Sequence, residues 1–285
     1  MTGTLHRIRA GLEHLNPSEA RVAVVMLDAP EAVIEQSITE LADLAGTAVS
    51  TVSRCCQRLG FSGFQEMKLG LARELAPTTT PASPDADDPG SMLRFVAEFA
   101  GRRIAESASR LDEAAFAAAV EAIGGAEEVL VVGFGTSASV ALDLAYRLQL
   151  LGIRTQHRAD PHQAHVVAGS LGPGDACLAI SHTGATRETI LAAEAAREAG
   201  AALIGMTSYH RSPVADLADH PLIAGVRGMQ INLALGDGEA RLPSVSRLMH
   251  LVLGDAIVAT LAARDEQRSR QQYEHSHELM SAHLY

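Results

Sequence analysis

The chain has no tryptophan, and only four tyrosines and six phenylalanines among 285 residues. Aromatic side chains are too few to build the cores, so alanine, leucine and valine must do it. That composition suits helix-on-helix and helix-on-sheet packing. Three cysteines, an odd number, exclude a closed disulfide framework. Cys55 and Cys56 are adjacent and lack the gap of a C-x-x-C motif, while Cys177 lies in an apolar run. All three read as packing residues. The sole lysine, Lys68, stands far from the C-terminal region, which therefore has no amine for Schiff-base chemistry. No apolar stretch reaches bilayer length and no apolar signal core opens the chain, so the expectation is a cytoplasmic protein with no membrane partner.

The formal net charge is −11, which looks unfavourable for a nucleic-acid binder. Its distribution changes that reading. Through Ala76, seven basic side chains stand against nine acidic ones, so most of the excess negative charge lies beyond that point. Net charge does not exclude DNA binding by the N-terminal region.

One segment, Pro77 to Gly90, is rich in Pro, Thr and Asp and has no large apolar residue. It cannot bury a face and reads as a linker. The expected organisation is a helical domain over 1–76, a linker over 77–91, and a larger domain over 92–285 with a polar tail. Before the linker every periodic segment is helical. Pro17 opens one helix and Asp28-Ala29-Pro30 stops it. Ser37-Ile38-Thr39-Glu40 is a capping box. The helix from Ile38 ends at Gly46, the next runs from near Thr47 to Leu59-Gly60, and the last from about Gly63 to Leu75.

Two short helices joined tightly at Gly46, with small Ala42 and Ala45 between them, have helix-turn-helix spacing. Leu41, Leu44, Val52 and Leu59 are the expected core of the pair. In such a motif the second helix enters the major groove, and Thr47, Val49, Ser50, Thr51, Ser53, Arg54 and Gln57 are the candidate DNA contacts. A structural helix hairpin with a solvated hydroxyl face has the same spacing. The stretch Ile38–Lys68, with Thr51-Val52-Ser53-Arg54 and Leu59-Gly60-Phe61-Ser62-Gly63-Phe64-Gln65-Glu66-Met67-Lys68, resembles the N-terminal domain of RpiR-type transcriptional regulators. It departs from the usual run at Thr47, Ala48 and Cys55. Thr47 is then a candidate cap in place of the usual serine, and Cys55 leaves core volume for a neighbour to fill.

After the linker, Met92–Ile123 reads as two helices. Short apolar runs then alternate with helical ones: Val129–Gly133, Ile153–Gln156, Ala176–Ile180, Leu203–Thr207 and Pro221–Ala224. The helices between them are Ser137–Leu151, Pro161–Ala168, Arg187–Ala199 and Pro213–Leu217, and a long one covers Ser244–Ala263. Alternation of this kind implies an α/β domain, a mostly parallel five-stranded sheet in doubly wound order. The tail after Arg264 reads as helical at first and then frayed.

Two loops of this domain follow strands and open helices. In Ser181-His182-Thr183-Gly184-Ala185-Thr186, three hydroxyls surround one glycine at a helix start, an arrangement suited to an anion. One hydroxyl would suffice for an ordinary N-cap. Gly133-Phe134-Gly135-Thr136-Ser137 has two glycines of a dinucleotide fingerprint. Ala138 takes the place of the third, and His157-Arg158 stands where an acidic residue is needed. Together the two loops resemble the SIS (sugar isomerase) fold over about Leu93–Ala263, which RpiR-type regulators carry after their DNA-binding part. The resemblance implies a phosphosugar held by Gly135, Ser137, Ser181, Thr183, Gly184 and Thr186.

An isomerase would need a base over the sugar carbons, and Glu188, Glu239, His162, His182 and His250 are the candidates. No motif assigns that role to any of them. His157, His162, His165 and His182 invite a metal, but no Cys or carboxylate stands at ligand spacing. Arg247 suits either an anion contact or an ion pair. The expectation is a non-enzymatic regulator without cofactor or metal. Its expected partners are a palindromic DNA operator, a phosphosugar effector and further copies of itself in a homodimer or homotetramer. The alternative is a phosphosugar isomerase with an accessory helical domain.

Overall fold

The computed structural model describes residues 3–75, 88–225, 231–235, 238–242 and 245–283. The chain divides into two compact units, 1–99 with 230–243 and 100–229 with 244–285. Residues 77–87 of the expected linker lie outside the described residues. Pro89 to Ser91, also assigned to the linker, open a helix instead. Proline is well placed in a first turn, and the Asp88 carboxylate accepts from the Gly90 N–H at 2.9 Å.

In the first unit the helices are α1 (Thr4–Gly11), α2 (Pro17–Asp28), α3 (Pro30–Glu35), α4 (Ile38–Leu44), α5 (Val49–Arg58) and α6 (Phe64–Glu74). Helix α1 has no counterpart in the sequence reading. Two reciprocal capping boxes start α2 and α4. Asn16 accepts from Glu19 N–H, Ser37 accepts from Glu40 N–H, and each glutamate accepts in return from its cap residue's backbone. Ile8, Val22, Met26, Leu41, Val52, Leu59, Phe61, Met67 and Leu71 close the core. Leu44, expected in that core, is 60% exposed. It ends α4 one residue before the cap, where the helix face turns to solvent, and Ala45 takes the inward place.

Two arginines close the C-termini of the motif's helices. Arg21 donates from Nε to Ala45 O at 3.1 Å and from Nη2 to Gly46 O at 3.2 Å. Arg7 donates to Leu59 O at 2.7 Å and to Gly60 O, with its guanidinium over the Phe61 ring. Cations at these ends satisfy carbonyls the helices leave open and oppose their dipoles.

In the second unit, β1 (Val129–Gly133), β2 (Thr155–His157), β3 (Ala176–Ile180), β4 (Ala202–Thr207) and β5 (His220–Ile223) form one parallel sheet ordered β2-β1-β3-β4-β5. Strand β2 begins later than expected because the Ile153 N–H bonds to Leu148 O, closing the preceding helix rather than pairing with β1. Helices α10 (Pro161–Ala168), α11 (Arg187–Glu198) and α12 (Pro213–Leu217) cover one face, over Leu130, Val132, Cys177, Ala179 and Leu203. On the other side lie α8 (Glu113–Gly125), α9 (Ala138–Leu150) and α13 (Ser246–Arg264), where Leu144, Leu148, Met249, Leu253 and Ile257 are buried. Helix α7 (Pro89–Ala108) carries the division between the units. The inner strands β1, β3 and β4 are buried along nearly their whole length, as a doubly wound sheet requires, while the edge strands β2 and β5 are only partly covered.

Three features depart from the sequence reading. Strands β6 (Ile231–Leu235) and β7 (Gly238–Leu242) form an antiparallel hairpin grouped with the first unit rather than with the sheet domain. The side chain of the candidate base Glu239, in β7, lies outside the described residues, as does Ser244. The polar tail is helical far beyond its start, as α14 (Glu266–Ser281). By length and composition alone α13 is apolar enough to cross a membrane, contrary to the expectation that no stretch is. Its apolar residues pack on α8 and α9.

Candidate functional site

The helix-turn-helix is built as the spacing predicts. Gly46 joins α4 to α5 at φ +59°, a left-handed conformation that suits glycine at a helix end. The Thr47 N–H bonds back to Ala42 O at 2.9 Å. Thr47 does not cap α5: its hydroxyl donates to Ala48 O, and Ala48 is the N-cap, with no side-chain bond to the helix. Cys55 and Cys56 pack in the core, and burial pushes both thiols up to about 12, which leaves them inert.

On α5, Ser50, Arg54 and Gln57 are exposed and Val49 and Ser53 are half-buried, as is Thr47 just before the helix. Thr51, predicted to face DNA, is buried. It lies one turn before Cys55 on the inward stripe, and its Oγ1 accepts from Arg54 Nη2 at 3.2 Å. Thr51 therefore orients Arg54 rather than presenting its own hydroxyl. Arg58 was not among the predicted contacts. It lies on the exposed side of α5, with Nε 3.4 Å from Oε2 of the fully buried Glu19. An arginine at i+4 from Arg54 was the available signal.

The strand order β2-β1-β3 reverses direction between β1 and β3, and the loops leaving those two strands open a crevice at the switch point. There lies a cavity of about 590 Å³ lined by Phe134, Gly135, Thr136, Ser137, Ala159, Pro161, His182, Thr183, Thr186 and Glu188. Four of the six predicted residues line it: Gly135, Ser137, Thr183 and Thr186. The other two stand behind the lining. Ser181 is 1% exposed, and its Oγ lies 3.0 Å from Thr186 Oγ1. Gly184, at φ +62°, donates to Ser181 O and accepts from Val214 N–H, and a Cβ there would overlap Ser212 Oγ. These two residues shape the turn.

Thr186 is the N-cap of α11 but makes no side-chain bond to that helix. No hydroxyl cap therefore closes on the first N–H groups of α11, which keep the positive end of the helix dipole. Thr183 Oγ1 accepts from the Ala185 N–H at 3.2 Å, which fixes its rotamer. Three hydroxyls and one helix start thus converge on the cavity, a donor set suited to an anion.

The histidines have separate roles. His182 lines the cavity, and its Nδ1 lies 2.9 Å from Ser208 Oγ. His157 Nδ1 lies 3.0 Å from Val131 O, an attachment of β2 to β1. His162 and His165 are exposed on α10, and Arg247 is exposed on α13. His250 is buried at 1% exposure, and desolvation, with His182 nearby, lowers its pKa to about 3. Of the candidate bases, His182 and Glu188 reach the cavity lining.

Fold and site together define a helix-turn-helix protein with an α/β ligand-binding domain. Residues 2–78 match the helix-turn-helix domain of the rpiR family and residues 123–232 match the SIS domain. An HTH-type transcriptional regulator of Caldanaerobacter subterraneus is 31% identical over 270 residues, covering 93% of this chain and 92% of that one. The regulator HexR of Pseudomonas aeruginosa is 30% identical over 268 residues, covering 93% and 90%. The solved structure of Vibrio vulnificus NanR complexed with ManNAc-6P superposes with a TM-score of 0.80 at 25% identity, covering 99% of each chain. The chain belongs to the RpiR family of transcriptional regulators, with a DNA-binding helix-turn-helix and a SIS domain.

Proposed function

We propose that the SIS cavity is the receptor for a phosphosugar and that its occupancy changes how the protein holds DNA. The observation that carries this reading is the uncapped start of α11, opening on a cavity ringed by Ser137, Thr183 and Thr186. The phosphate lies against these hydroxyls and the α11 N–H groups, with Ser181 and Gly184 maintaining the turn. The sugar occupies the space towards Phe134, Pro161 and His182. NanR, similar along its whole length, was solved with ManNAc-6P, which supports a phosphosugar as the ligand class.

On the DNA side, Ser50, Arg54 and Gln57 face the major groove, flanked by Thr47, Val49 and Ser53. A homodimer or homotetramer presents two such helices to a palindromic operator in the cytoplasm. Ligand alters operator affinity to the extent that it binds two arrangements of the protein unequally.

A thermal-shift screen of phosphosugars tests the receptor, since tight binding raises the melting temperature by mass action. A hit should vanish in the Thr183→Val, Thr186→Val double variant; an undiminished shift there overturns the site. Glu188 in the cavity lining favours one competing reading, an isomerase using that carboxylate as base. Turnover of an aldose phosphate to a ketose phosphate, lost in Glu188→Gln, would establish it. We expect none.

A further inference from the structure

The side chain of His182 belongs to a chain of three groups leading away from the cavity. Its Nδ1 lies 2.9 Å from Ser208 Oγ, and that hydroxyl lies 3.4 Å from Nε2 of His250 on α13. The residues at either end of the first link are also joined through their backbones. The His182 carbonyl accepts from the Ser208 N–H at 3.0 Å and from Thr207 Oγ1 at 3.2 Å. Tyr209 lies beside the His182 ring, with centroids 5.8 Å apart. Behind Ser208 the chain passes so close at Gly225 that a Cβ there would overlap the Ser208 carbonyl. Ser208 is thus held in place, and its side chain meets one histidine on each side.

A serine hydroxyl has a single proton, so the two histidines are wired together. If Ser208 donates to one ring it must accept from the other. We propose that His250 is a positioning residue for the cavity: its Nε2–H donates to Ser208, Ser208 donates to His182 Nδ1, and the His182 ring proton is thereby placed on Nε2. This rests on the anion reading of the cavity, which favours an N–H over a lone pair at the ring edge away from Ser208. Burial keeps His250 uncharged through the neutral range, so the wiring does not break by titration near pH 7. The consequence is that α13, through His250, sets the hydrogen-bonding character of a cavity residue carried by the loop after β3.

The tautomer is the readout, because loss of packing alone does not redistribute a ring proton. Long-range 1H–15N spectra of the full-length protein should show wild-type His182 as the Nε2–H tautomer. His250→Gln, which keeps a donor near the same place, should preserve it, whereas His250→Leu should give a tautomer mixture. Ser208→Ala, which severs the link without touching the buried position, should give the same mixture even if His250→Leu fails to fold. Affinity for inorganic phosphate should fall about tenfold in Ser208→Ala and His250→Leu and stay near wild type in His250→Gln. An Nδ1–H or mixed tautomer in the wild type, or an unchanged tautomer in Ser208→Ala, overturns the proposal. Failure of the wild type to bind any phosphate probe overturns the anion reading instead, and the spectra decide the wiring independently of it.

Discussion

Ser181 Oγ and Thr186 Oγ1 lie 3.0 Å apart across the turn that follows β3, so the N-cap residue of α11 is bonded to the turn and not to its own helix. A threonine at this position ordinarily caps the helix. Its diversion leaves the helix start for a ligand. Ser181→Ala should release Thr186 to cap α11, a gain of about 1 kcal/mol that offsets the lost side-chain bond. The expected outcome is phosphosugar affinity reduced about tenfold with little change in melting temperature, read by calorimetric titration beside thermal unfolding. A parallel fall in both would show that Ser181 is merely structural.

Gly184 combines a left-handed φ with contact against Ser212, whose hydroxyl accepts from the Ala215 N–H at the start of α12. Gly184→Ala should abolish ligand binding and destabilise the domain by about 2 kcal/mol or more, since both the backbone strain and the overlap must be relieved. Adding Ser212→Gly should recover part of the stability and not the whole, because the φ penalty remains. Denaturant unfolding of the single and double variants separates the two terms.

Arg54 is exposed on α5 and tethered by the buried Thr51. Arg54→Ala should weaken operator binding by about tenfold or more at fixed salt, and Thr51→Val should give a smaller loss by loosening the same guanidinium. Neither should alter phosphosugar affinity. Fluorescence anisotropy on operator DNA at two salt concentrations checks this, and equal effects on specific and random DNA would assign Arg54 to phosphate contact alone.

His250 makes stability depend on acid. In the unfolded chain its imidazole takes a proton near pH 6.5, while burial holds the folded pKa at about 3. Between these values the unfolded state binds more protons, so stability rises with pH and is lost as pH falls below about 6.5. From pH 6.5 to 5 this one group removes about 2 kcal/mol. His250→Gln should flatten the stability profile over that range relative to wild type and leave it unchanged above pH 7.

Much of this arrangement is legible in the chain. Strands β1 and β3 and helices α10 and α12 begin and end where apolar runs, Asp160-Pro161 and Ser212-Pro213 say they should. Ser37 and Glu40 announce the capping box that starts the helix-turn-helix. Less legible were places where a distant partner overrides a local cue. Thr51 carries the same hydroxyl as its exposed neighbours, yet it falls on the inward stripe of α5. Ile153 reads as strand until its N–H is claimed by Leu148. The hairpin β6–β7 was within reach, because Asp237-Gly238 is a turn signal and the apolar positions on either side of it, Ile231, Leu233 and Leu235, then Ala240 and Leu242, alternate as in strands.

The helical N-terminal part and the α/β part, the helix-turn-helix, the order of strand and helix, and the cluster of hydroxyls at the start of α11 are all written locally in the chain. These follow from local periodicity, capping and turn chemistry, which act within a few residues. Which hydroxyls face the cavity and which stand behind it depends on long-range packing. Ser181 and Thr183 are two residues apart and alike in chemistry, but the sheet buries the first and the crevice exposes the second. Nor does anything in the chain around residue 250 show that a helix so far along it ends in contact, through Ser208, with His182. The parallel sheet brings those residues together, and the shortage of water around His250 gives the contact its chemical character.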